Sequence, residues 1–173
     1  SVDFQRGRPT QNSSKEISFF LTPEESKKLL QEVPQAFDTQ INEILLSALT
    51  LAMGDWKGQF NLCLALEGHG REWIDEQSDL SQSIGWFTSI FPVSFSLDHP
   101  ENLCKSILQV KEKLRAIPNK GIGYGVLKYL NGMTETPSPQ INFNYLGQWD
   151  SSFNQERLFN FSRDSSGASS SPE

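Results

Sequence analysis

Six consecutive residues, Glu67-Gly68-His69-Gly70-Arg71-Glu72, concentrate more reactive groups than any other stretch of the chain. A carboxylate ends an apolar run, two glycines flank an imidazole, and a guanidinium follows at once. Glycines permit backbone angles that other residues resist, so this turn can aim Glu67 and His69 at a cleft. A carboxylate beside an apolar strand can have its pKa raised, which suits general acid/base work. Arg71 could hold that carboxylate ionised, or position it. The plainer alternative is a surface hairpin with a salt-bridged glutamate, and pattern alone fits that alternative better.

Other stretches are less specific. Gly121-Ile122-Gly123-Tyr124-Gly125 is glycine-rich without the dinucleotide spacing, and reads as a loop entering a helix. Asn142-Phe143-Asn144-Tyr145-Leu146 alternates polar and apolar residues as a half-buried strand does, although Asn142, Asn144 or Tyr145 could line a polar channel. Ser83-Ile84-Gly85-Trp86-Phe87-Thr88-Ser89 is either core or the wall of a cleft. With only His69 and His99, a multi-histidine metal site is excluded, and His99 before Pro100 reads as an exposed turn residue. Cys63 and Cys104 lack metal-ligand spacing and read as small core residues in a reducing compartment.

The elements that must position these groups alternate between helix and strand. Glu16–Leu21 is predicted as a short strand. Thr22-Pro23-Glu24-Glu25 forms a capping box for a helix that should stop at Pro34. A second helix is expected over Thr39–Met53, with Gly54 as its C-terminal cap. Gln59–Glu67 and Phe87–Leu97 alternate as strands, and Asp98 with Glu101 should cap a helix striped by Leu103, Ile107, Val110 and Leu114. A short helix over Ile122–Leu130, closed by Gly132, and a strand over Gln140–Leu146 complete a mixed α/β reading.

The 173 residues make one compact domain's length, with 36% hydrophobic and 21% charged residues, the composition of a folded soluble chain. A net charge of −6 argues against a nucleic-acid partner, which needs clustered Lys and Arg. The longest nearly apolar run, Ile44–Met53, is too short to span a bilayer. The first residues lack the apolar stretch of a signal peptide, so no membrane association is expected and a cytoplasmic location is. Residues 1–15 read as a lead-in, 16–161 as the folded unit, and 162–173 as a flexible Ser-rich tail.

Five segments in order resemble the epimerization domains of nonribosomal peptide synthetases, relatives of the condensation domains. Thr39–Leu49 looks like the family's helix motif, with Glu43 where Asp is usual. Glu67-Gly-His-Gly-Arg-Glu72 looks like the epimerization signature. Asp79–Val93 looks like the next motif, with Gln82 and Ser83 where Arg and Thr are common. Ile117-Pro-Asn-Lys-Gly-Ile-Gly-Tyr-Gly125 and Phe143-Asn-Tyr-Leu-Gly-Gln-Trp-Asp150 complete the set, with Trp149 at a position often Phe. Such domains have two chloramphenicol-acetyltransferase-like α/β lobes around a channel. The first lobe's His-His-x-x-x-Asp-Gly motif has no counterpart here, so the chain looks like the second lobe only.

The resemblance implies an isomerase reaction: inversion, L to D, at the α-carbon of an aminoacyl or peptidyl thioester. The thioester is carried on the phosphopantetheine arm of a peptidyl carrier protein. It implies Glu67 as an acid/base group facing the absent lobe's histidine, Tyr145 as a supporting acid or orienting group, and Arg71 as an orienter of Glu67. His69 joins them as a catalytic candidate, and Trp86, Thr88, Ser89 and Asn144 as linings of the substrate or pantetheine channel. No cofactor bound by this chain and no metal is expected. The partners implied are the N-terminal lobe and the carrier protein, with self-association through the exposed lobe face. The alternatives are a condensation-domain lobe that forms peptide bonds, or a non-catalytic module that docks the carrier.

Overall fold

In the computed structural model the described residues are 13–72, 80, 82–134 and 137–147. The Ser-rich tail, most of the lead-in and the Trp149 position lie outside them.

The first helical stretch starts where the capping box predicts. The Glu25 N–H donates to Thr22 Oγ1 (3.3 Å), and the Thr22 N–H donates back to Glu25 Oε2 (2.8 Å). Helix α1 (Pro23–Lys27) does not stop at Pro34. It continues through a π turn, Lys28–Glu32, into α2 (Val33–Phe37). Proline has no N–H to donate, and its ring crowds the carbonyl four residues back. Widening the preceding turn, so that the Val33 N–H reaches Lys28 O, lets the helix pass the proline instead of ending at it. Asp38, in the left-handed region at φ 49°, ends it.

Helix α3 (Ile41–Lys57) begins after Gln40, whose N–H donates to Glu43 Oε2 at 2.8 Å. It runs past Gly54, the expected cap, to Gly58 at φ 69°. Gly54 is instead a packing residue, since a Cβ there would run into the Phe60 ring.

Strand β1 (Asn61–Gly68) pairs antiparallel with β2 (Ser89–Ser96), and parallel with the short β3 (Asn142–Phe143), in the order β2-β1-β3. Leu62, Leu64 and Leu66 lie opposite Phe95, Val93 and Phe91. These six side chains, all buried, form with Leu46 of α3 and Val110 of α4 (Leu103–Arg115) the core between sheet and helices. The other sheet face presents Asn61, Glu67, Ser94 and Ser96 to solvent, as a strand with a two-residue period requires. A left-handed turn in Pro118–Gly121 leads to α5 (Gly123–Tyr129), and Gly132 follows at φ 67°.

Several expectations are corrected. Glu16–Leu21 is paired with no strand among the described residues, and Ile17, Phe19 and Phe20 are almost wholly exposed. Its alternation is strand-like, but a strand needs a neighbour for its backbone groups. The expected strand over Gln140–Leu146 shrinks to two residues. The cap of α4 is Asn102, whose Oδ1 accepts from the Lys105 N–H, while Asp98 accepts from Gln109 Nε2 at 2.6 Å. Leu103 is exposed, and Ser106 takes a buried place beside Ile107 and Val110. Neither cysteine is core: Cys63 is half-buried on the open sheet face and Cys104 is exposed.

Candidate functional site

The carboxyl ends of the parallel pair β1 and β3 bring the candidate residues together. Because Ala65 pairs with Asn142 and Leu66 with Phe143, continuing the register sets Glu67 beside Asn144. Asn144 Nδ2 donates to Glu67 Oε2 at 3.0 Å. Both side chains are exposed on the open side of the sheet, and Tyr145 follows half-buried. A cleft of about 850 Å³ opens here. Its walls include Glu67, His69, Trp86, Thr88, Asn144 and Tyr145, and its floor includes Leu46, Leu66, Phe91 and Phe143. Helix α3 contributes its first residues and α4 its last. Six of the eight site residues expected from sequence therefore share one concavity. Trp86 stands 91% exposed on its rim.

Arg71 and Ser89 are placed elsewhere. The motif suggests that Arg71 orients Glu67, but its Nη1 donates to Leu80 O at 2.6 Å and its Nη2 to Gly85 O at 3.3 Å. Its guanidinium lies 4.4 Å from the centroid of the Phe87 ring. It therefore fastens the segment that carries Trp86 to the turn after β1. Gly70, at φ 66°, allows this closeness: a Cβ on it would collide with the Phe87 carbonyl. Ser89 is half-buried at the start of β2, opposite Gly68 in the register, and does not line the cleft.

His69 sits on the cleft wall with both ring nitrogens engaged. Nδ1 accepts the Arg71 N–H at 3.0 Å, and Nε2 lies 2.9 Å from Glu72 Oε1. The Glu72 carboxylate also meets Lys120 Nζ at 3.2 Å. His99 is the exposed turn residue expected, with Glu101 3.3 Å from its Nδ1.

Two groups not among the site residues expected from sequence close the helical side of the cleft. Glu43, buried at 4% exposure, accepts from Arg115 Nε at 2.9 Å and from Nη2 at 3.3 Å. That hydrogen bond pushes the Arg115 guanidinium above its ordinary value. Arg115 also donates to Asp38 O, and Lys111 reaches Phe37 O and Asp38 Oδ2, which ties α4 to the end of α2. The sequence carries one clue: Glu43 stands three residues after Gln40 at a helix start, a capping position. Its long-range partner, 72 residues on, leaves no local trace.

Chemically, the cleft offers one carboxylate oriented by an amide, a phenol next to it in sequence, and an aromatic rim above an apolar floor. That set can accept or return a proton at a carbon held in the cleft.

A model of the Condensation domain family matches residues 3–173. A linear gramicidin synthase polypeptide of Brevibacillus parabrevis is 45% identical over 169 residues, covering 94% of this chain and 3% of that protein. The solved epimerization domain from the third module of tyrocidine synthetase B superimposes with a TM-score of 0.78 at 41% identity, over 85% of this chain and 34% of that one. The first condensation domain of the CDA synthetase superimposes at 0.53 and 14% identity, over 71% of this chain and 28% of that one, a likeness of fold. The chain thus spans about a third of the solved domains and a small part of the synthase. The mixed sheet with helices on one face has the chloramphenicol-acetyltransferase-like architecture of these domains, and with the family model matching nearly the whole sequence, the chain belongs to the condensation-domain superfamily of nonribosomal peptide synthetases.

Proposed function

We propose that the chain is the second lobe of an epimerization domain and supplies Glu67 to the inversion of an aminoacyl or peptidyl thioester at its α-carbon. The observation that carries this reading is the convergence of Glu67, Asn144 and Tyr145 on one cleft, in a chain 41% identical to a solved epimerization domain.

The chemistry follows from the substrate. A thioester acidifies its α-C–H because the carbonyl oxygen takes up the electron pair when the proton leaves. A base on one face removes the proton and an enolate forms. An acid on the opposite face then protonates the α-carbon, and the electron pair returns from oxygen. The configuration is inverted with no net change in protons. Glu67 is one member of this pair, and the N-terminal lobe's histidine faces it. Asn144 holds the carboxylate by one oxygen, and Tyr145 orients the group or the carbonyl. The substrate arrives on the phosphopantetheine arm of a carrier protein and passes Trp86 and Thr88. A cleft of about 850 Å³ falls within the range of small-molecule sites, about 300–1,000 Å³.

The test is α-proton exchange in deuterated water with an L-aminoacyl carrier protein, with and without the N-terminal lobe. Exchange is expected only with both lobes, and Glu67→Gln in that complex should slow it by roughly 10²–10⁴-fold. No exchange despite demonstrable lobe association would overturn this reading in favour of condensation or carrier docking.

A further inference from the structure

Two glycine-rich stretches distant in sequence meet beside the cleft, and a carboxylate that the proposed chemistry does not use lies between them. Glu72 is four residues beyond the end of β1, with a side chain only 16% exposed. Its Oε1 is 2.9 Å from His69 Nε2, and its Oε2 is 3.2 Å from Lys120 Nζ. Lys120 belongs to a turn in which Asn119, Lys120 and Gly121 are all left-handed, at φ 45°, 50° and 81°. That turn packs on the other: Lys120 O would lie 3.7 Å from a Cβ on Gly68. The stretch from Ile117 to Gly125 therefore serves as a second wall for the turn that follows Glu67.

We propose that Glu72 is a positioning residue: by joining His69 to Lys120 it fixes the turn that follows Glu67, and it commits His69 to holding that turn instead of exchanging the substrate's proton. The partners of the two ring nitrogens support the second half. With Nδ1 accepting from the Arg71 N–H, the ring proton belongs on Nε2, which lies 2.9 Å from Glu72 Oε1. Each nitrogen thus lies within 3.0 Å of a group in the chain itself. The carboxylate is largely buried while His69 and Lys120 reach it from the solvent side, so removing either partner leaves it less well compensated. This inference rests on the epimerase reading for its kinetic consequence only; the geometry of Glu72 is independent of that reading.

The experiment has two arms. In the chain itself, long-range ¹H–¹⁵N spectra of the two histidines should show His69 as the Nε2–H tautomer with an observable ring N–H. Glu72→Ala should abolish that resonance and move the Gly68 and Gly70 amides, while Lys120→Met should leave the ring N–H in place. In the two-lobe domain, Glu72→Ala should lower kcat for α-proton exchange by roughly 10- to 100-fold with KM little changed, the cost of misplacing a reacting group. Glu72→Gln, which can still accept from His69, should recover part of that loss. His69→Gln, which can still donate to Glu72, should lose no more than Glu72→Ala. An Nδ1–H tautomer in the unmutated chain, or unmoved glycine amides in Glu72→Ala, would overturn the proposal. So would His69→Gln abolishing exchange while Glu72→Ala preserves it. If the unmutated domain exchanges nothing, the epimerase reading fails, and the spectra still decide the role of Glu72.

Discussion

Asn144 and Glu67 stand 77 residues apart, and their 3.0 Å hydrogen bond exists because β3 runs parallel to β1 in one particular register. The amide donates and the carboxylate accepts, so the bond holds one of the glutamate's oxygens. Asn144→Leu keeps the volume and removes the donor. If Asn144 orients Glu67, exchange in the two-lobe domain should fall about tenfold, roughly the 1.4 kcal/mol worth of one hydrogen bond. Asn144→Asp sets a second carboxylate against the first and should be worse, because two like charges at this distance cannot both stay ionised cheaply. Rates that rank the aspartate variant above the leucine variant would remove Asn144 from the machinery. Arg71 shows how far a motif can be read at this scale. Its proximity to Glu67 in sequence suggests a partner, yet its guanidinium turns away to Leu80, Gly85 and Phe87. A residue's neighbours in the chain indicate what it can reach, and the fold decides which of these it takes.

At the scale of elements, Gly54 sets two effects against each other. Alanine is favoured over glycine inside a helix by about 1 kcal/mol. The new methyl group would collide with the Phe60 ring, and overpacking of this kind costs about 1–3 kcal/mol. The collision should win, so Gly54→Ala should lower the urea midpoint of the chain. A raised midpoint would mean that Phe60 moves aside freely. Local signals identify the capping box at Thr22, the alternation of β1 and β2 and the apolar face of α3, because these depend on residues a few positions apart. They fail where a partner is remote. The apolar alternation in Glu16–Leu21 does not reveal that no strand among the described residues lies beside it, and Pro34 does not reveal that a π turn upstream absorbs it. The Glu43–Arg115 pair and the Glu72–Lys120 contact likewise join segments whose spacing carries no period. Most of the cleft is nonetheless legible, since Glu67, His69, Trp86, Thr88, Asn144 and Tyr145 lie in sequence motifs that do meet.

Across the whole molecule, charge and exposed surface each lead to a measurable property. Asp38 is held below the usual carboxylate range by its hydrogen bond and charge interaction with Lys111, and then by Arg115. A carboxyl lowered in the folded state stabilises above its unfolded value, about pH 4, and that stability is lost as the pH falls through the folded value. Asp38→Asn should therefore give a chain less stable at neutral pH, with a shallower acid limb below about pH 4. Parallel limbs for variant and parent would show that the Asp38 carboxylate contributes nothing to the link between α2 and α4. The exposed surface has the larger consequence for function. Ile17, Phe19, Phe20, Ile84 and Trp86 are each more than 80% exposed, and Ile90 of β2 more than half. Single exposed apolar residues are ordinary, but large ones that adjoin would form a patch able to bind another apolar surface. The solved epimerization domain is about three times the length this chain covers, and on the proposed epimerase reading the N-terminal lobe would supply the cover. Without it, the purified chain should self-associate as concentration rises. Trp86→Ser with Ile84→Ser should weaken that association, and so should added N-terminal lobe, because both remove apolar surface from water. Sedimentation velocity checks this directly: a monomer at every concentration would mean that these exposed side chains do not drive self-association.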